Sequence, residues 1–266
     1  MKLGVLGPEG TFSERAAKLW SNDSELIYFK DFEDVLKAVE RGELDAGVVP
    51  LENSLEGAIG LTMDLLLTLQ VKIIGEINVP IRQCLLGRGE GEVKVILSHP
   101  QALAQCRQFI RQHFPHAEIR TTGSTSHAAK LAQEFPEMAA IAGTDAAKKY
   151  DLKVLARDIQ DGQNNVTRFA LVGRDLPKPT GEDKTSLVVY LQRDSPGALY
   201  GILEEFAIRN INLTRIESRP SRKCLGDYYF YIDIDGHIGE PLVREALLCV
   251  ESKSTMVKVL GSYRKA

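Results

Sequence analysis

The sequence predicts an α/β domain of two lobes followed by a smaller domain with the element order βαββαβ. Three observations carry this. Short apolar runs alternate with helical periods as far as residue 178. A stretch rich in Pro, Gly and charge, "GRDLPKPTGEDKT" from Gly173 to Thr185, then interrupts the pattern as an exposed linker does. Beyond it, four alternating runs enclose two helical ones.

In chain order, "KLGVL" leads into "TFSERAAKLW", "AGVVP" into "SLEGAIGLTMDLLLTL", "VKVILS" into "PQALAQCRQFIRQHF", and "AAIA" into "TDAAKKY". Continuous apolar strands between helices are buried on both faces, which predicts a largely parallel sheet covered by helices. A single sheet holding every strand of residues 1–178 is implausibly wide, so two lobes are expected: 1–75 with 160–178, and 76–159. "VKIIGEINVPIRQCLLG" opens the second lobe and "NNVTRFALVG" returns the chain to the first, so two crossings form a hinge. Residues 179–185 form the linker. In 186–266, "TSLVVYLQ", "PGALYGILEEFAIRN", "LTRIESRPS", "DYYFYIDIDG", "EPLVREALLCVES" and "MVKVLGSYRK" give the ferredoxin-like order.

The composition narrows the function. With 266 residues, 44% hydrophobic and 26% charged, the chain has the balance of an ordinary globular protein. A net charge of −3 with scattered Lys and Arg shows neither a nucleic-acid footprint nor a polybasic membrane patch. No apolar run is long enough to span a bilayer and none reads as a signal peptide, so a cytoplasmic location is expected. Cys84, Cys106, Cys224 and Cys249 follow no ligand spacing, so reduced thiols and no metal are expected.

Strand-to-helix junctions carry the chemical signal. They read "GPEGTFS", "PLENS", "SHPQA", "GSTSHA" and "AGTDA", each placing Ser, Thr, Asn or Gly where a helix starts. Such residues cap helices. Convergence of several helix N-termini beyond the carboxyl ends of strands also makes a cleft for a small carboxylate-bearing ligand. "QNNVTRFALVG" places amides, a hydroxyl and a guanidinium before an apolar run; it is either a loop entering a strand or the lining of that cleft. "GVLGPEG" spaces its glycines as G-x-x-G-x-x-G, which is not the dinucleotide fingerprint, and no cofactor is implied.

"GPEGTFSE", "VVPLENSLEG", "SHPQALAQC", "GSTSHAA" and "NNVTRF", in this order, resemble the prephenate dehydratase family across residues 1–175. The resemblance implies a type II periplasmic-binding-protein architecture and cofactor-free conversion of prephenate to phenylpyruvate, water and carbon dioxide in phenylalanine biosynthesis. Ser126-His127 depart from the small apolar residues usual there. "DSPGALYGIL" and "IESRPS" resemble the phenylalanine-binding motifs of the regulatory ACT domain. With no chorismate mutase helices ahead of residue 1, the monofunctional form is expected.

By this resemblance, Thr167 meets the leaving hydroxyl, and Arg168 is a carboxylate anchor or an organiser of the cleft. Glu52 or a bound water is the proton source. Thr11, Ser13, Asn53, Ser54, Gln101 and Ser124 supply neutral donors, and Phe169 packs beside them. His99 reads as a structural helix-start residue or as an acid. L-Phenylalanine is expected at Gly197, Ala198, Leu199, Glu217, Ser218, Arg219 and Pro220, between ACT domains of a homodimer or homotetramer. Arogenate as the substrate, or a silent amino-acid-sensing binding protein, remain the alternatives.

Overall fold

The computed structural model describes residues 1–89, 91–162, 164–192 and 195–266. Gln163 and Asp194, which begin two of the quoted motifs, lie outside the described residues. The elements are β1 (Lys2–Leu6), α1 (Phe12–Trp20), β2 (Glu25–Phe29), α2 (Phe32–Glu40), β3 (Ala46–Asn53), β4 (Gly57–Ala58), α3 (Gly60–Thr68), β5 (Lys72–Pro80), β6 (Cys84–Gly87), β7 (Val95–Ser98), α4 (Pro100–Gln105) and α5 (Arg107–His113). They continue as β8 (Glu118–Thr121), α6 (Thr125–Glu134), β9 (Met138–Ala142), α7 (Thr144–Lys149), β10 (Lys153–Ala156), β11 (Val166–Gly173), β12 (Asp183–Leu191), α8 (Ala198–Ala207), β13 (Leu213–Pro220), β14 (Tyr228–Asp235), α9 (Pro241–Ser252) and β15 (Ser254–Arg264).

The chain forms two compact units: Met1–Val35, Gly47–Ile59 and Ile77–Phe169 make the first, and Leu36–Ala46, Gly60–Glu76 and Ala170–Ala266 the second. Strands β3, β5 and β11 each begin in one unit and end in the other.

In the first unit, strands run in the order β11-β3-β1-β2, with β1 and β2 parallel. A separate five-stranded sheet has the order β10-β6-β9-β7-β8. Its β7 is parallel to both β8 and β9, whereas β6 is antiparallel to β9 and β10. This mixed polarity replaces the expected parallel sheet. Apolar side chains fill both faces of this sheet: Leu86, Leu97 and Ala140 against α6 on one side, and Leu85, Ile96 and Ile141 against α4 and α5 on the other. The two crossings are bonded to each other, Ile81 N–H to Asn165 O at 2.8 Å and Ile159 N–H to Gln83 O at 3.0 Å.

Two helices differ from their sequence reading. In "SLEGAIGLTMDLLLTL" the helix starts only at Gly60, because Gly57 at φ +82° folds the chain back so that β4 pairs with the end of β3. The run "PQALAQCRQFIRQHF" breaks at the buried Cys106, whose N–H bonds the Leu103 carbonyl in a tight turn, giving α4 and α5.

The second unit has the expected βαββαβ order. Strands β13-β14-β12-β15 form an antiparallel sheet, and β5 adds to its β15 edge at the Gly261–Ile73 pair. Leu187, Val189, Ile232 and Ile234 pack against Ile202, Phe206, Val243 and Leu247 of α8 and α9. Helix α3 is tied to the C-terminal strands: Tyr231 donates to the Met63 carbonyl at 3.2 Å, and Lys258 Nζ donates to the Leu67 and Leu69 carbonyls at 2.8 and 2.7 Å. Strand β12 starts inside the segment read as linker. Asp183 is held there by the Thr180 and Gly181 N–H groups and the Thr180 hydroxyl, and Lys184 by the buried Glu76 at 3.1 Å.

Candidate functional site

A cavity of about 550 Å³ opens in the first unit, within the range of small-ligand sites. Its walls lie beyond the carboxyl ends of β1, β2, β3, β7 and β8, where the junction motifs put their polar residues. Three N-cap residues line it. Thr11 accepts from Glu14 N–H at 3.3 Å, Ser124 from His127 N–H at 3.0 Å, and His99 Nδ1 from Gln101 N–H at 3.3 Å. The first turns of α1 and α6 contribute Ser13 and Thr125 to the wall.

The floor is a chain of side-chain amides. Asn53 Nδ2 donates both to Asn165 Oδ1 at 2.8 Å and to Thr167 Oγ1 at 2.9 Å. Asn165 Nδ2 in turn donates to Gln105 Oε1 at 2.9 Å, and Gln105 Nε2 to Glu56 Oε1 at 3.2 Å. Asn53, Asn165 and Thr167 are all buried. The bond from Asn53 makes Thr167 Oγ1 an acceptor, and among the described residues no side chain or carbonyl accepts the Thr167 proton.

Strand alternation sorts the TRF residues. Thr167 and Phe169 are buried and line the cavity, whereas Arg168 points to the opposite face and pairs with Glu52 at 3.2 Å. Neither Arg168 nor Glu52 lines the cavity. Ser54 lies outside it too; its hydroxyl donates to the Asn164 carbonyl at 2.7 Å and accepts from Val166 N–H at 2.9 Å, fastening β3 to the start of β11. Thr11, Ser13, Asn53, Gln101, Ser124, Thr167 and Phe169 are brought together as the sequence reading has them. Gln83, Gln105, Glu56 and Thr125 join them from outside that reading. Gln105 follows Gln101 by four residues, one helical turn, a signal the sequence did contain.

Among the described residues, the lining contains no Lys or Arg. Among the described residues, no group of three His, Cys, Asp or Glu side chains is placed to hold a metal ion, and no helix is long and apolar enough to cross a membrane. Burial, assisted by the nearby Asp161 carboxylate, pushes the Cys106 thiol up to about 12, so it is not a thiolate at neutral pH.

In the second unit, Gly197 at φ +82° is the N-cap of α8, with Ala198 and Leu199 in its first turn, while Glu217, Ser218, Arg219 and Pro220 end β13. Both β12 and β13 run antiparallel to β14, and Tyr229 of β14 pairs with Tyr190 on one side and Arg219 on the other. Strand β12, which leads toward α8, and β13 therefore finish at the same end of the sheet. Arg219 reaches α3, where its Nη2 lies 3.1 Å from Asp64 Oδ1.

Neutral donors and helix N-termini surround a cavity with no basic side chain among its described lining residues, in an α/β protein. The prephenate dehydratase family model matches residues 3–177 and the ACT domain model residues 185–248. Prephenate dehydratase of Methanocaldococcus jannaschii is 42% identical over 268 residues, spanning 96% of this chain and 95% of that protein. The solved structure of prephenate dehydratase in complex with L-Phe from Arthrobacter aurescens is 42% identical at a TM-score of 0.90, covering 100% of this chain and 90% of that one. GqqA, described as a novel type of quorum quenching acylase, is 28% identical at a TM-score of 0.89, covering 100% of this chain and 98% of that one. The chain belongs to the prephenate dehydratase family and carries an ACT domain.

Proposed function

We propose that the protein is a prephenate dehydratase, converting prephenate to phenylpyruvate, and that L-phenylalanine regulates it through the ACT domain. One observation supports the catalytic reading: Thr167 Oγ1, which lines the cavity, accepts from Asn53 Nδ2 at 2.9 Å, and its own proton can then serve a ligand.

The reaction consumes one proton: the prephenate dianion gives the phenylpyruvate monoanion, water and CO₂. Breaking the ring C–CO₂ bond supplies the electron pair that aromatises the ring as the C–O bond breaks on its far side. No electron sink is needed. Thr167 is too weak an acid to surrender its proton outright, so it acts as a hydrogen-bond donor to the departing oxygen, with a cavity water as the net proton source. The first-turn N–H groups of α1 and α6 hold the carboxylates, so that a dianion is bound without Lys or Arg among the described lining residues. Arg168 and Glu52 act as organisers of the cleft, bracing β11 and β3 from the face away from the cavity.

The acylase description belongs to GqqA. In this chain none of the cavity hydroxyls is hydrogen-bonded to a histidine ring among the described residues, the arrangement that activates an acyl-transfer serine; Ser124 meets only the backbone N–H of His127.

L-Phenylalanine binds at the Gly197–Leu199 and Glu217–Pro220 segments, a reading supported by β12 and β13 finishing at the same end of the sheet. Since β13 ends its sheet, a second copy can align beside it, and the protein acts as a homodimer or homotetramer in the cytoplasm. The test is to incubate pure protein with prephenate and with arogenate while following phenylpyruvate and phenylalanine, with and without L-phenylalanine. Phenylpyruvate formation that L-phenylalanine suppresses is expected; no turnover of prephenate overturns the reading.

A further inference from the structure

Gln83 lines the cavity in the first crossing between the two sheets of the first unit, and it has no place in the mechanism above. It is 3% exposed, and its Oε1 is buried without a hydrogen-bond partner among the described residues. Its backbone cannot shift to relieve this, because Gln83 N–H donates to Gln160 Oε1 at 2.9 Å and Gln83 O accepts from Ile159 N–H at 3.0 Å. A carboxamide oxygen buried and unpaired carries a desolvation cost, and a turn of the side chain toward the cavity presents it to a bound donor that removes this cost.

Few donors are available. At neutral pH prephenate offers two carboxylates and a ketone, all acceptors, and a single O–H, the ring hydroxyl that leaves. We propose that Gln83 is a substrate-positioning residue whose Oε1 accepts the hydrogen bond of that hydroxyl. This rests on the prephenate dehydratase reading. With Thr167 donating to the same oxygen, the leaving group is held from two sides, and its C–O bond is fixed in orientation before it breaks. The substrate hydrogen bonded to Gln83 departs with the water; the added proton comes from the Thr167 side. Gln83 therefore supports binding and alignment of the ground state more than the barrier.

The test compares Gln83→Met, which keeps length and volume but removes the acceptor, with the parent on two ligands. One is prephenate. The other is its deoxy analogue, in which hydrogen replaces the ring hydroxyl and both carboxylates remain, used as a competitive inhibitor. The expected result is a KM for prephenate raised roughly five- to thirtyfold with kcat lowered less than KM is raised, the scale of one lost hydrogen bond. The inhibition constant of the deoxy analogue should stay within about twofold, because it has no proton to offer. Equal weakening of both ligands overturns the proposal, as does an unchanged KM. A variant that is merely misfolded reveals itself by losing the deoxy analogue and L-phenylalanine binding together; Gln83→Leu then repeats the comparison. Failure of the functional reading itself shows separately, as absence of turnover in the parent protein.

Discussion

Asp64 on α3 is gripped by two arginines from the segment around "IESRPS": Arg219 Nη2 lies 3.1 Å from Oδ1, and Arg222 Nη2 lies 2.8 Å from Oδ2. Gly60 leaves room for this, since a Cβ there would stand 2.7 Å from the Arg219 guanidinium. Helix α3 follows directly on Gly57, Ala58 and Ile59, which line the cavity. A ligand on the proposed Glu217–Pro220 segment that displaced Arg219 would free Asp64 and α3 from this grip.

From that connection, Asp64→Asn should leave prephenate turnover within about threefold while weakening inhibition by L-phenylalanine roughly five- to fiftyfold, within the usual span of coupling between sites. The check is an inhibition curve at fixed prephenate. An unchanged curve means that regulation does not pass through α3.

Lys184 and Glu76 form a buried ion pair, their side chains 11% and 3% exposed. Removing the cation alone by Lys184→Met should cost about 3–5 kcal/mol in chemical denaturation, because the carboxylate stays buried without its charge partner. Adding Glu76→Gln to that variant should recover most of the loss. A double variant no more stable than the single one would contradict the pairing.

Arg168 braces the strand that carries Thr167 by pairing with Glu52 on the opposite face. Arg168→Lys should lower kcat more than it raises KM, since displacing β11 misplaces Thr167 without removing a carboxylate contact. Glu52→Gln should act in the same direction, more weakly. A large rise in KM alone for Arg168→Lys would instead make Arg168 a substrate anchor.

Much of this architecture was legible in the sequence because it rests on local chemistry. Thr11 and Ser124 announce helix starts through their capping hydroxyls, and runs such as "VILS" and "AAIA" are too apolar to be anything but interior strands. The period of two that turns Arg168 away from Thr167 was equally available in "TRF". Gly57 hid its role, since one positive φ converts an apparent helix start into a hairpin. Gln83 and the Asp64–Arg219 pair were not legible at all. The first depends on how two crossings pack, and the second joins residues 155 positions apart.

The most direct test of the account is the kcat of Thr167→Val beside Thr167→Ser on prephenate. Valine keeps the branched shape at Cβ and removes only the hydroxyl that Asn53 orients, whereas serine keeps the hydroxyl. The account predicts that kcat falls by ~10²–10⁴ in the valine variant and stays within about tenfold in the serine variant, both with unchanged thermal stability. A valine variant that turns over prephenate within about threefold of the parent would show that the leaving hydroxyl draws its hydrogen bond from another group.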